Sequence, residues 1–224
     1  MKENKNKIIA LLTVLLFCTA IITAQVPVRD EPRHHPVLQN KYIRLLDVWL
    51  PPGDTTQFHI HSTPSLFVIL SKTITAWQEK GKQWIKDSSV LGRSWYRSFS
   101  PDTLVHRVCN ADTVAFHVND IEILSQYDPA APAKTALPFT VEFENEKAFA
   151  YRITAIADHA PIINERGPMV AELIKGSGVF FHNASANQTK KIEAGKYLYI
   201  EPGTAFYFSA AENKAIEMVL FEIK

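Results

Sequence analysis

The stretch Gly53-Asp54-Thr55-Thr56-Gln57-Phe58-His59-Ile60-His61 carries the most information about the fold. Alternate residues of a β-strand point to the same face of a sheet, so His59 and His61 would project together. Two imidazoles on one face can bind zinc or a transition metal. Gln57 shares that face by the same alternation, and it is a candidate fourth ligand, a hydrogen-bonding neighbour of the ligands, or a polar residue at the rim of the core. A His-x-His pair is a short motif, so its meaning depends on the rest of the chain.

A second stretch, Pro101-Asp102-Thr103-Leu104-Val105-His106-Arg107-Val108-Cys109-Asn110, supplies a third candidate ligand. A proline-initiated turn leads into a predicted strand that carries His106. An imidazole from this later strand would complete a set of three nitrogen ligands around one ion. We therefore predict that His59, His61 and His106 bind one metal ion.

Together the two stretches resemble the two sequence motifs of the cupin superfamily, G-x5-H-x-H and P-x-G-x2-H-x3-N. The matching residues are Gly53, His59 and His61, followed by Pro101, His106 and Asn110. The resemblance covers approximately residues 36–126, and it implies a jelly-roll barrel with the metal inside its mouth. Asn110 is expected to tie down a turn through hydrogen bonds to the backbone.

The sequence departs from the cupin pattern at three positions. Cupins usually have a glutamate where this chain has Ser65, and glycines where it has Lys72 and Thr103. The resemblance then implies a centre with three neutral imidazole ligands, similar to some iron dioxygenases of the superfamily. Ser65 would line the pocket. An anionic or bidentate substrate would fill the vacant position, or the loss of the carboxylate has weakened metal binding. Five aromatic residues between the motifs would line a pocket or pack in the barrel core and rim: Trp77, Trp84, Trp95, Tyr96 and Phe99.

The other candidate ligands are given different roles. His34 and His35 lie before the first predicted strand, where they could cap the barrel mouth, and we do not predict them as ligands. His117 is expected to be a surface or core histidine. Cys109 lies three residues after His106, so it would point to the opposite face of the strand.

The whole chain has the pattern of a β-protein, in which thirteen prolines and eight glycines separate short apolar or β-branched runs. In the first half these runs predict strands at residues 42–50, 57–61, 66–70 and 114–124. In the second half they predict strands at 139–142, 150–156, 170–174, 179–181, 197–200 and 216–223. The run at 66–70 is apolar throughout, as expected of a strand that is buried on both faces. The predicted fold class is all-β, with two cupin-type jelly-roll barrels in tandem.

The second barrel appears as a degenerate copy of the first. Residues 195–206 keep the shape of the second motif, but Phe206 stands at the position of its histidine, and Ile163 and Glu165 fall near the positions of the histidine pair. The predicted organisation is a signal peptide at 1–24, a metal-binding barrel at 25–126, a Pro/Ala-rich linker at 127–137 and a metal-free barrel at 138–224.

The first 24 residues have the three-part pattern of a secretory signal peptide. Lys2, Lys5 and Lys7 precede an apolar run at residues 8–22, and small residues then offer a cleavage site after Ala24. The pattern predicts a periplasmic or secreted protein with no stable membrane span after cleavage; an uncleaved anchor is the alternative. Cleavage would remove Cys18 and leave a single cysteine, so no internal disulfide is expected.

The composition excludes some classes of function and leaves others open. The formal net charge is +1, so there is no basic excess that would indicate nucleic-acid binding. A small-molecule substrate or ligand is the expected partner, and both a monomer and a homodimer remain open. Iron(II) is the favoured ion for a three-histidine site, with zinc, manganese and nickel as alternatives.

Three functions are compatible with these residues. The first is an enzyme, a dioxygenase or else an isomerase or lyase, in which the metal supplies the electrophile. No residue is identified as a catalytic base or nucleophile. The second is a non-enzymatic protein that binds a small ligand or a metal in the periplasm. The third is a structural role with a vestigial site, because a fold does not by itself fix a function.

Overall fold

A computed structural model describes residues 25–127, 136–156, 162–210 and 215–224. The predicted signal peptide at 1–24 and residues 128–135 of the predicted linker lie outside the described residues. Almost all of the regular structure is β, and the described helical structure is a single 3₁₀ turn, η1, at Val28–Asp30.

The strands of the first half span residues 26–123. In chain order they are β1 (Val26–Pro27), β2 (His34–Gln39), β3 (Ile43–Leu50), β4 (His59–His61), β5 (Ser65–Ile69), β6 (Thr73–Glu79), β7 (Ile85–Ser89), β8 (Ser94–Arg97), β9 (Leu104–Asn110) and β10 (Phe116–Ile123). They form two sheets, with the orders β1-β4-β9-β6-β7 and β2-β3-β10-β5-β8. The two sheets face each other and enclose the interior of the first barrel.

The strands of the second half repeat this arrangement over residues 140–223. They are β11 (Thr140–Glu144), β12 (Ala148–Ile153), β13 (Met169–Lys175), β14 (Val179–Asn183), β15 (Gln188–Ile192), β16 (Lys196–Ile200), β17 (Phe206–Ala210) and β18 (Glu217–Ile223). Their sheets have the orders β11-β12-β18-β13-β16 and β15-β14-β17. The prediction of an all-β fold with two jelly-roll barrels in tandem is confirmed.

The predicted strands are all present, with ends that differ by a few residues, but several strands were not predicted. Two of the missed strands, β7 and β15, consist mostly of exposed residues. An edge strand with little apolar surface lacks the alternation from which strands are predicted. These strands are held by backbone pairing with β6 and β14, which the sequence does not display.

The apolar run predicted to be buried on both faces is β5, and all five of its residues are buried. Leu66 and Val68 point outward and pack in one core cluster with Val170 and Phe221 of the second barrel. Phe67 lies between these two residues on β5, so its side chain points to the opposite face, into the first barrel. The sheet β2-β3-β10-β5-β8 of the first barrel therefore packs back to back against the sheet β11-β12-β18-β13-β16 of the second barrel, and β5 lies between two hydrophobic layers.

Asn110 holds the end of β9 in place, as the sequence predicts. Its Nδ2 donates to the carbonyl oxygens of Leu50 and Val114, each at 2.8 Å, and its Oδ1 accepts from the backbone N–H of Asp112. The side chain is completely buried. These bonds satisfy backbone groups where β3, β9 and β10 begin or end, and so they fix the strand that carries His106.

Candidate metal centre

The structure brings the three predicted histidines together on the inner face of one sheet. Strands β4 and β9 are antiparallel neighbours, and His59 lies directly opposite His106 in their register. His61 follows two residues later on the same face. The ring centroids are 4.6 Å apart for His59 and His106, and 5.0 Å apart for each of the other two pairs.

A fourth histidine, His34, joins this cluster and was not predicted as a ligand. Its ring centroid lies 4.6 Å from that of His59 and 6.4 Å from that of His61. Candidate ligand atoms of these three histidines lie within 4.8 Å of one another. His34 reaches the centre because β1 pairs with β4 in parallel, which places η1 and the start of β2 beside the histidine pair.

Three of the imidazoles have an oxygen atom close to Nδ1. The Nδ1 of His34 lies 2.7 Å from Oε2 of Glu31, and the Nδ1 of His59 lies 2.9 Å from the carbonyl oxygen of Gln57. The Nδ1 of His61 lies 3.5 Å from Oδ2 of Asp120. The acceptors at Nδ1 of His34 and His59 favour the tautomer whose lone pair is on Nε2, which is the arrangement that orients histidine ligands in metal sites, whereas the contact of His61 is not a hydrogen bond.

The Nε2 atoms that remain fit a shared ion. The Nε2 of His59 is buried and has no hydrogen-bond partner among the described residues, which is costly for a polar atom without a ligand. The Nε2 atoms of His61 and His106 are 3.0 Å apart. Two ligand nitrogens about 2.1 Å from one ion, at a right angle to each other, would be about 3 Å apart. The spacing of His61 and His106 therefore fits a divalent transition metal or zinc, and the group of histidines whose ligand atoms all lie within 4.8 Å of one another is His34, His59 and His61.

Burial keeps these imidazoles neutral, which is the form that binds metals. Desolvation, with a smaller contribution from the charge of His34, lowers the pKa of His59 to about 4. Desolvation and the neighbouring imidazoles lower the pKa values of His61 and His106 well below the ordinary value.

Glu31 organises the N-terminal side of the centre. Its buried carboxylate contacts His34 and accepts hydrogen bonds from the backbone N–H groups of Arg33 at 2.7 Å and Gln57 at 3.1 Å. Burial raises the pKa of Glu31, but the hydrogen bonds from His34 and the two N–H groups outweigh it, and the pKa lies below its ordinary value. The carboxylate thus connects the start of β2 to the segment that leads into β4.

Asp120 is a second buried carboxylate beside the centre. It lies on β10, and its side chain has no hydrogen-bond partner among the described residues. Burial, and then the charge of Glu122, raise the pKa of Asp120 well above its ordinary value. Sequence reasoning missed Asp120 because no motif marks β10, although alternation along that strand places it on the inner face with Phe116 and Val118.

Gln57 and Ser65, the two residues predicted to surround the metal, are absent from the lining of both cavities described beside the histidine cluster. The strand β4 begins at His59, so alternation does not extend to Gln57, whose side chain is exposed and whose backbone contacts His59 and Glu31. Ser65 is completely buried on the inner face of β5, and its Oγ donates to the carbonyl oxygen of Thr63 at 3.1 Å.

The remaining histidines of the first half point away from the centre. His35 is exposed. His117 lies on the outer face of β10, where its Nε2 is 2.7 Å from Oδ1 of Asp47 and its ring stacks on Trp49 at 3.9 Å. Neither residue can contribute to a site inside the barrel.

Two cavities adjoin the histidine cluster. The smaller, of about 110 Å³, is lined by all four histidines and Asp120. The larger, of about 350 Å³, lies against His61 and His106. Three of the five aromatic residues singled out in the sequence line the larger cavity: Trp77, Trp95 and Phe99. The first barrel therefore contains both a position for an ion and space for an organic molecule beside it.

The second barrel has no equivalent site among its described residues. Phe206 is buried at the start of β17 and packs against Phe181 and Phe208. Ile163 pairs with Phe206 through a β-bridge, and Glu165 is exposed. The prediction of a degenerate second copy agrees with this packing.

Solved structures with the same architecture include several cupins. YlbA from E. coli is 13% identical with a TM-score of 0.60, over 86% of this chain and 85% of that protein. A cupin 2 conserved barrel domain protein from Leptotrichia buccalis is 8% identical with a TM-score of 0.55, over 84% and 86%. Salicylate 1,2-dioxygenase from Pseudaminobacter salicylatoxidans is 15% identical with a TM-score of 0.54, over 81% and 71%. The chain shares the two-barrel fold of these structures.

Sequence comparison adds no relative to these structures. No protein-family model matches the chain, and no curated protein matches it. The described part of the chain contains no helix with the length and apolar character needed to cross a bilayer.

Proposed function

We propose that the first barrel binds one divalent metal ion through His59, His61 and His106, with His34 as a further imidazole at the same centre. The observation that carries this proposal is the buried Nε2 of His59, which has no partner among the described residues and lies within a cluster of imidazoles. Iron(II) is the favoured ion, and zinc, manganese and nickel are compatible with the same nitrogen ligands.

The function that this site supports best is oxidation of a small molecule, as in a dioxygenase. When bound, iron(II) would supply a position at which an organic substrate and O2 are activated. The residues of the chain orient the imidazoles, exclude water with the aromatic wall of the larger cavity, and leave space for the substrate beside His61 and His106. One protein of similar fold is a salicylate dioxygenase, which shows that the architecture is compatible with such chemistry.

A non-enzymatic protein that binds a small ligand or a metal is the second candidate. It is favoured by Ser65, which stands where many cupins have a carboxylate ligand. The hydroxyl of Ser65 donates its hydrogen bond to the carbonyl oxygen of Thr63 and does not contact a histidine. A site without that carboxylate could bind an anion without turning it over. The same protein would then serve as a carrier or sensor.

Metal analysis of untagged protein, purified without chelator, tests the proposal. We expect about one ion per chain in the wild type and loss of that ion in His59→Ala, because a ligand is removed from a buried site. His182→Ala is the matched control, since His182 lies in the second barrel and bonds to Thr189 and Ser209. A wild type that takes up no iron, zinc, manganese or nickel, or a His59→Ala variant that retains the ion, would contradict the proposal.

Oxygen consumption separates the two candidate functions. Iron-loaded wild type that consumes O2 with a member of a small-molecule panel, when His59→Ala does not, supports the enzyme. Saturable ligand binding without O2 consumption or any product supports the binding protein.

We also propose that the chain is exported to the periplasm or secreted, because residues 1–24 have the pattern of a cleaved signal peptide. Expression with the native N-terminus should give a periplasmic or extracellular product that begins at Gln25, as determined by mass spectrometry. A cytoplasmic product that retains residues 1–24 would contradict this.

A further inference from the structure

The larger cavity has an aromatic wall that is continuous with the histidine cluster. Phe67 and Trp95 stack with their ring centroids 4.7 Å apart and their planes 11° apart. Phe99 stacks on the imidazole of His61 at 4.9 Å and 15°. The rings lie on different strands and loops but border one space of about 350 Å³, which is near the lower end of the range for small-ligand pockets. Such walls favour a flat molecule.

Two arginines also line this cavity, and they differ in their partners. Arg93 lies 3.9 Å from the carboxylate of Asp87, so its charge is partly neutralised. Arg97 has no carboxylate within ion-pair distance among the described residues, and its guanidinium lies 5.0 Å from the centroid of the Phe99 ring. Arg97 is therefore a solvent-exposed cation at the wall of the cavity, with no carboxylate partner among the described residues.

The register of β5 and β8 explains why Arg97 has no partner. Ser65 and Arg97 lie directly opposite each other in this antiparallel pair, so their side chains leave the same face of the sheet. A carboxylate at position 65 would stand across from the guanidinium. The serine has no charge and forms its hydrogen bond with Thr63. The absence of an acidic residue at this position leaves the guanidinium available to a ligand.

The ligand of highest electrostatic complementarity is therefore an anion. Arg97 lines the same cavity as His61 and His106, so a ligand in this space can contact the guanidinium and lie beside the histidine cluster. A divalent ion held by neutral imidazoles would retain its full charge. A carboxylate bound between such an ion and Arg97 would offset both charges.

We propose that the larger cavity binds a small planar carboxylate, with its flat body against Phe67, Trp95 and Phe99 and its carboxylate paired with Arg97. The inference rests on the proposed metal-binding function, because it assigns the class of molecule held beside that centre. Arg97 is the specificity-determining residue, since it distinguishes an anion from a neutral molecule of the same shape.

Benzoate and benzamide test this assignment, because they have nearly the same shape and differ in charge. Binding to the full chain is followed by calorimetry or by the fluorescence of the tryptophans in the cavity, with the metal-free and the zinc-loaded protein. We expect wild type to prefer benzoate to benzamide by about tenfold or more, as is typical of a charge-assisted hydrogen bond. Arg97→Gln should abolish this preference, and Arg93→Gln, which removes an already paired arginine, should retain most of it.

Ser65→Glu provides a second variant that does not remove any residue of the cavity wall. The new carboxylate would lie opposite Arg97, and we expect it to weaken benzoate binding by about tenfold and to leave benzamide binding nearly unchanged. A melting temperature close to that of the wild type would show that this variant is folded.

The outcomes distinguish this inference from the proposed function. If the protein takes up zinc but shows no preference for benzoate, the inference is wrong and the metal site is still supported. The same holds if Arg97→Gln retains the preference for benzoate. A preference that depends on Arg97 in a protein that binds no metal supports the anion pocket and contradicts the metal site. No saturable benzoate binding up to about 10 mM in either form also overturns the inference.

Discussion

In the first barrel, β4 and β9 bring histidines to a point where the interior is left open, whereas in the second barrel the interior is filled. Phe206 stands where the motif of the first barrel has His106, and it packs with Phe181, Phe208 and other apolar residues in one continuous core. The first barrel divides its apolar residues among smaller clusters on either side of the cavities. One architecture therefore holds a polar centre in one copy and a hydrophobic core in the other.

The two interiors also differ in how many buried polar atoms they contain without a hydrogen-bond partner. Buried imidazoles and a buried carboxylate without partners destabilise a fold, because polar atoms lose their contacts with water. The first barrel contains several such atoms, including Nε2 of His59 and both carboxylate oxygens of Asp120. It is also packed back to back against the second barrel through a shared apolar cluster. We infer that the second barrel stabilises the first, which can then retain a strained polar interior.

Removal of the Phe206 side chain should have the largest effect on stability. We expect Phe206→Ala to lower the free energy of unfolding by about 3–5 kcal/mol, because it leaves a cavity in a closely packed core. Urea denaturation would measure this loss. His106→Ala at the corresponding position of the first barrel should cost less stability and abolish metal binding. If His106→Ala proves to be the more destabilising of the two, the proposed division between the barrels is wrong.

Loss of the charge on Glu31 should have an intermediate effect, confined to the metal centre. Glu31→Gln keeps the shape of the side chain but replaces the carboxylate that contacts Nδ1 of His34. Substitution of a group that orients a ligand typically weakens metal binding by about 10- to 100-fold. Competition with a chelator of known affinity would measure the change in metal affinity. Asp54→Asn is the control, since Asp54 pairs with Arg33 and contacts no histidine. Equal metal affinities in wild type and Glu31→Gln would exclude this role of the carboxylate.

The last expected effect appears only as a change of stability with pH, and it concerns the interface between the barrels. Glu172 of β13 is completely buried, and its Oε1 accepts a hydrogen bond from Nδ2 of Asn119 on β10 at 2.7 Å. Burial raises the pKa of Glu172 to about 8, from 4.5. Because the pKa is raised in the folded state, its contribution to stability is complete below pH 4.5 and is lost as the pH rises through 8.

Glu172→Gln should remove this pH dependence. Between pH 5 and pH 9 we expect the wild type to lose stability that the variant retains, since the amide keeps the bond to Asn119 and cannot ionise. The exposed Glu193→Gln is the control. Parallel stability profiles for wild type and Glu172→Gln would show that the interface carboxyl does not titrate in this range.

The sequence predicted the part of the site that depends on local patterns. Strand alternation and the two motifs were sufficient to place His59, His61 and His106 on one face, because β4 and β9 are regular strands with an antiparallel register. The prediction for Gln57 assumed that the alternation begins two residues before β4. The strand begins at His59, so the backbone at Gln57 is not that of a strand. Local periodicity is informative only within an element.

The missed residues are those that reach the site through tertiary structure. His34 arrives through the parallel pairing of β1 with β4, and Asp120 through the position of β10 in the opposite sheet. Neither pairing has a local sequence signature. The sequence around His34 or Asp120 does not distinguish a buried residue at the site from an exposed one on the surface. The pairing of Ser65 with Arg97 across β5 and β8 is hidden for the same reason. Long-range register is what the structure adds.

X-ray absorption spectroscopy of the iron- or zinc-loaded full chain tests the central claim most directly. The account predicts a shell of nitrogen atoms at about 2.0–2.1 Å from the ion, with outer-shell scattering from three or four imidazole rings that diminishes in His59→Ala. A spectrum without imidazole scattering, or one that is the same in wild type and His59→Ala, would contradict the claim that the first barrel binds its metal through this cluster.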